Sequence, residues 1–214
     1  MTLPDHNLIF KRRIARFEKN FLSYYGNPKL SRYERWYQLE GLISQTWQSW
    51  GQFCRSVLID SCLGTVGQSG QVITRAKQSW IDEQRVSYEV KCATQNLVPQ
   101  ANSKITLLRQ EITWGDINKL LTAITKLTPA NSKELLAGFG CGLTGVPHIQ
   151  IVRNAAAHLN RDTASDIRKL TAYYFGTILN HPTDLATWLH ISTKDPAYIS
   201  WISDMRTMAD LCVQ

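Results

Sequence analysis

Residues 31–64, SRYERWYQLEGLISQTWQSWGQFCRSVLIDSCLG, constrain this chain more than any other stretch. Trp36, Leu39, Ile43, Trp47, Trp50, Cys54, Val57 and Leu58 recur at steps of one, three or four residues. Helical spacing of this kind gathers them into one apolar stripe along a segment without proline. A helix that long needs apolar partners along its whole length, so the segment predicts a helical bundle. Ser31 is placed as its N-cap, with Glu34 three residues on in capping-box position.

The rest of the chain follows the same pattern. Residues 8–25 place Ile14, Phe17, Phe21 and Leu22 at helical spacing, and Gly26-Asn27-Pro28 ends that helix. Residues 64–70, GTVGQSG, form the clearest loop. After it a strand at residues 71–74 competes with a helix from 73 to 95, and the helix is preferred. Residues 114–127 predict an amphipathic helix with Asp116 near its start. Residues 128–140 predict another, opened by Pro129 and Ser132 and stopped by Gly138. The glycine-rich 138–147 lacks the Lys-Ser/Thr of a phosphate loop and reads as a connector. A helix over 148–160 follows. The next is capped by Thr163 or Ser165 and has Leu170, Tyr173, Tyr174 and Ile178 on its core face. A final helix begins near residue 196. The predicted class is all-α. The predicted organisation is a basic helical arm over 1–28 and a helical domain over 29–214.

Charge points toward polyanions. The net charge is +7 and the pI about 9.2. The surplus lies mainly at the start, where Lys11, Arg12, Arg13, Arg16, Lys19, Lys29, Arg32 and Arg35 face only Asp5, Glu18 and Glu34. A basic segment of this kind suits a nucleic-acid phosphate track, and Lys11, Arg12, Arg13, Arg16, Arg32 and Arg35 are its candidate RNA contacts. Tyr24, Tyr25 and Tyr33 stand among these cations as candidate stacking partners. The five cysteines are odd in number and form no CxxC, so buried thiols in a reducing compartment are expected. The opening residues carry no apolar signal region, and no apolar run reaches membrane-spanning length. A cytoplasmic protein is expected.

One stretch fits neither core nor surface helix. Residues 151–160 read IVRNAAAHLN, with three alanines bracketed by Arg153-Asn154 and His158. On a continuous helix Asn154 and His158 share a face, and Arg153 lies about 140° from His158. The alanines let a second backbone or a ligand approach. Two copies of the helix packed across a two-fold axis would bring both Arg/His pairs into one cleft.

Arg153, Asn154 and His158 resemble the Rx4–6H motif of the HEPN superfamily, which lies in a late helix of an all-α chain and commonly carries a polar residue after the arginine. The resemblance is specific over about ten residues and extends beyond them only as an all-α pattern. It implies a metal-independent endoribonuclease, without cofactor, that acts as a homodimer in toxin–antitoxin or phage-defence systems. A restraining antitoxin or a defence-complex partner is implied with it. In HEPN partners of minimal nucleotidyltransferases a tyrosine usually stands two residues after the histidine. Asn160 stands there in this chain, which argues against that subgroup. The chemistry suits the residues. RNA supplies its own 2′-OH nucleophile, histidine titrates near neutrality as base or acid, and arginine offers phosphate a fork of donors. The alternative is a non-catalytic helical module that binds RNA or protein, or a docking subunit of a larger defence complex.

Overall fold

The computed structural model describes residues 1–214. It is 63% helix and 3% strand, so the all-α class stands. The helices are α1 (Leu3–Tyr25), α2 (Arg32–Leu63), α3 (Glu83–Gln95), α4 (Ile117–Leu127), α5 (Ser132–Phe139), α6 (Gly145–Ala157), α7 (Arg161–Leu170) and α8 (Ala197–Cys212). Short 3-10 turns lie at Leu108–Gln110 and Pro182–Thr187. The chain divides into two compact units. The first comprises residues 1–10, 50–143 and 207–214, and the second residues 11–49 and 144–206. The boundaries of these units fall inside α1, α2 and α8 and in the glycine-rich connector. Helix α1 is no free arm, because Leu3, Phe10, Ile14, Phe17 and Phe21 are buried.

The first unit is centred on aromatic packing. Phe10 stacks on Phe53 at 4.9 Å, and Trp50 meets the Phe139 ring edge-on at 6.1 Å. The Trp50 indole N–H donates to the Gly115 carbonyl, so this large side chain is buried without an orphaned donor. Glu111 is held by Arg55 at 2.8 Å, by the Ser87 hydroxyl and by the Trp114 indole N–H. Burial alone would raise its carboxyl pKa. The three donors outweigh burial and leave it below the ordinary carboxylate value. Asp116 caps α4 through the Asn118 and Lys119 N–H groups. Gly138 does not stop α5 but lies within it, and a Cβ there would come 2.8 Å from the Cys212 backbone nitrogen of α8. In place of a helix from residue 73, β1 (Thr65–Val66) pairs antiparallel with β2 (Val72–Ile73) across the Gly67–Gly70 turn. Helix begins only after Asp82, whose side chain accepts the Arg85 N–H. The five cysteines are free, and all but Cys141 are buried.

In the second unit Phe21 stacks on Tyr198 at 4.6 Å, and the Tyr198 hydroxyl lies 2.7 Å from that of Thr46. Glu18 pairs with Arg206 at 2.5 Å. Ser31 and Glu34 form the expected reciprocal cap of α2: the Ser31 N–H donates to the Glu34 carboxylate and the Glu34 N–H to the Ser31 hydroxyl. Gly145 opens α6 where no side chain fits, since a Cβ there would stand 2.7 Å from the Trp201 Cα. Helix α7 is shorter than expected and ends at Leu170. Tyr173 and Ile178 are exposed, while Leu170 and Tyr174 are buried. No helix is long and apolar enough to cross a membrane.

Candidate functional site

Helix α6 buries Val146, Ile149, Val152 and Ala155, a three-residue repeat that gives it one packed face. Arg153 and Asn154 are half-buried on its flank, in the last turn. The helix then stops earlier than its sequence predicts. His158 is its C-cap, with φ −145°. The cause lies in the following residues. Asn160 caps α7, its side chain accepting from the Asp162 and Thr163 N–H groups, while the Thr163 hydroxyl accepts the Asn160 N–H. A new helix that starts so firmly ends the old one before residue 160.

The shared face of Asn154 and His158 is thereby lost. His158 is instead pinned at the seam of α6 and α7. Its N–H donates to the Asn154 carbonyl at 2.9 Å, and its own carbonyl accepts the Thr163 hydroxyl at 2.7 Å. Its ring is exposed. The backbone is thus fixed on both sides while the imidazole stays accessible.

Arg153 is held differently. Its Nη1 donates to Asn154 Oδ1 at 3.1 Å, which fixes the amide against the guanidinium. Its Nε is buried and has no acceptor. A buried donor on a cation is costly to leave unmet, and this one is closed to solvent. Arg153 lines a cleft of about 250 Å³ with Tyr37, Glu40 and Ser44 of α2 and Ala156 and Ala157 of α6. Gly41 leaves that wall open. Glu40 adds a carboxylate to the same cleft. His158 does not line this cleft.

The six candidate RNA contacts fall into distinct environments. Arg12 and Arg16 are exposed and stand with Lys19 at helical spacing on one face of α1. Lys11 and Arg13 are half-buried and engaged with the protein. Arg32 lies over the Trp36 ring at 4.6 Å, a cation–π contact. Arg35 is half-buried with its Nε unpaired. Of the tyrosines among them, Tyr25 stacks on Phe21, while Tyr33 is exposed and meets Trp36 edge-on.

A second feature has little trace in the sequence. His148, near the start of α6, is buried, and its Nδ1 lies 2.5 Å from the Tyr174 hydroxyl. The Trp201 indole N–H reaches the same oxygen at 2.7 Å. All three residues line a cavity of about 520 Å³ with Tyr173, Phe175 and Trp188 on its walls. Burial lowers the His148 pKa below its ordinary value and pushes that of Tyr174 up to about 12. Nothing local in the sequence joins His148 to Tyr174. The only signal is a histidine on the helix that carries the Arg-Asn motif.

No group of three or more His, Cys, Asp or Glu residues is placed to hold a metal ion. No family model, no curated protein and no solved structure matches this chain.

Proposed function

We propose that this chain is a metal-independent endoribonuclease of the HEPN type, acting as a cytoplasmic homodimer, with Arg153, Asn154 and His158 as its site. The observation that carries the reading is the state of Arg153. Its guanidinium is oriented by Asn154, and the residue lines a cleft edged by small residues. Such a group is prepared for a phosphate oxygen. His158, pinned by its backbone and exposed at its ring, supplies the titratable partner.

In this reading the substrate 2′-OH attacks the adjacent phosphorus and the bond to the 5′-oxygen breaks. One His158 takes the 2′-OH proton, and His158 of a second copy gives a proton to the leaving 5′-oxygen. Arg153 stabilises charge on the phosphorane, and Asn154 holds Arg153 in place. The products carry 2′,3′-cyclic phosphate and 5′-hydroxyl ends. A second copy would supply the other histidine, since His158 does not line the Arg153 cleft of its own chain. A toxin–antitoxin or phage-defence setting, with a partner that restrains the activity, belongs to the same proposal.

The absence of His158 from the Arg153 cleft also favours a second reading, a non-catalytic module that binds RNA or protein through its cations. Incubation of wild type and His158→Ala with total RNA and a labelled tRNA in EDTA separates the two. Cleavage by wild type alone, leaving cyclic phosphate ends, is the expected result. RNA binding by both proteins with cleavage by neither supports the binding module.

A further inference from the structure

The cavity around His148 is built for a planar, uncharged ligand. Tyr173, Phe175 and Trp188 give it aromatic walls, and no lysine or arginine lines it. Its floor is polar and ordered. A tryptophan N–H can only donate, so the Tyr174 oxygen accepts from Trp201. The Tyr174 hydroxyl hydrogen is then free to donate to His148 Nδ1. The opposite arrangement would leave that hydrogen without a partner. The neutral ring thereby carries its hydrogen on Nε2. Burial keeps this imidazole neutral near neutral pH. Asp204 lines the same cavity and accepts the Gly145 N–H at 2.9 Å through one carboxylate oxygen, leaving the other as an acceptor.

We propose that this cavity is a nucleobase site, in which an unpaired base lies against the aromatic walls and reads its edge on His148 Nε2–H and the Asp204 carboxylate. A base has a π-face for the rings and both donors and acceptors on its edge. A volume of about 520 Å³ admits a nucleoside. The absence of cationic side chains keeps the phosphate outside. The base comes either from a single-stranded RNA or from a free nucleotide, and only the first source rests on the ribonuclease reading. His148 and Arg153 stand on one helix, about 7.5 Å apart along its axis and about 140° apart around it, so the base site and the Arg153 cleft are distinct.

The test is calorimetric titration of the full chain with the four nucleosides and with single-stranded A10 and U10 RNA. Wild type, His158→Ala, Tyr173→Ala and Tyr174→Phe are compared. Tyr173 is an exposed wall residue, and its loss does not threaten the fold. Saturable binding to at least one probe is expected in wild type. It should be retained in His158→Ala and weakened about tenfold or more in both tyrosine variants. Binding of nucleosides as well as RNA assigns the site to free nucleotides too. Binding of RNA alone assigns it to the strand. The idea is overturned if no probe binds, or if the tyrosine variants bind as wild type does. Because His158→Ala binds without cleaving, failure of catalysis and failure of the base site are read separately.

Discussion

His148 and Tyr174, twenty-six residues apart, meet at 2.5 Å between imidazole Nδ1 and phenol oxygen, and both are buried. The contact ties α6 to the irregular segment after α7. It also places that histidine in a cavity that Asp204 and His190 share.

The first prediction concerns pH. Burial holds the folded-state pKa of His148 below its ordinary value of 6.5. The unfolded chain therefore takes up a proton at His148 more readily than the folded chain does. The stability tied to neutral His148 is complete above about pH 6.5 and is lost as pH falls through the lowered value. Urea denaturation of wild type and His148→Gln at pH 7.5 and pH 5 measures it. The wild-type advantage should shrink at pH 5. An advantage equal at both values would mean that the histidine is not held neutral.

The second concerns Gly145. A methyl group there would meet the Trp201 Cα at 2.7 Å and the Trp201 carbonyl oxygen at 2.8 Å, both backbone atoms that cannot swing aside. Gly145→Ala should cost about 1–3 kcal/mol through overpacking. For a chain of this size each kcal/mol lowers Tm by roughly 2–4 °C, and calorimetry reads the shift. Wild-type stability in the variant would show that α6 and α8 separate easily at that point.

What the sequence disclosed, and what it hid, follows one physical divide. Helices α1, α2, α4 and α8 were legible because apolar periodicity and local caps such as Ser31–Glu34 and Asp116 are written within a few residues. The early end of α6 was harder. It depends on Asn160 winning the cap of α7 over Thr163 and Ser165, a competition between neighbouring hydrogen bonds. Residues 73–82 misled because Ile73 pairs with Thr65 and the Ala76 N–H donates to the Cys62 carbonyl, bonds to an earlier part of the chain that local helical pattern does not register. The Arg153–Asn154 pairing could be read as a motif, but the unmatched Nε could not, since it depends on what α2 places around it. The His148–Tyr174–Trp201 relay is wholly tertiary.

The third prediction tests the basic face of α1. Arg12 and Arg16 are exposed, one turn apart, with Lys19 beyond them. If this face tracks RNA phosphates, each cation releases counterions on binding. The double variant Arg12→Ala/Arg16→Ala should bind single-stranded RNA more weakly at low salt. Its log K against log salt should be shallower by roughly 1.4, at about 0.7 per phosphate contact. Anisotropy titrations between low and moderate salt measure the slope. A slope equal to wild type would remove these residues from the RNA path.

The fourth concerns the second copy. Ala156 and Ala157 end α6 beside the Arg153 cleft, and Ala157 is exposed. Small residues there allow close approach of another α6, and the ribonuclease reading requires that approach. Light scattering should give twice the 24.4 kDa chain mass for wild type. Ala157→Gln adds length without charge and keeps a good helix former. Circular dichroism should therefore be unchanged while the mass falls to that of one chain and cleavage falls with it. The pairing of the two losses is the informative part. A variant that becomes monomeric yet cleaves at the wild-type rate would show that one chain holds a complete site. A wild type that is monomeric while active would do the same, and either result would move the acid and base roles onto groups within a single copy, with Glu40 in the Arg153 cleft the first to examine.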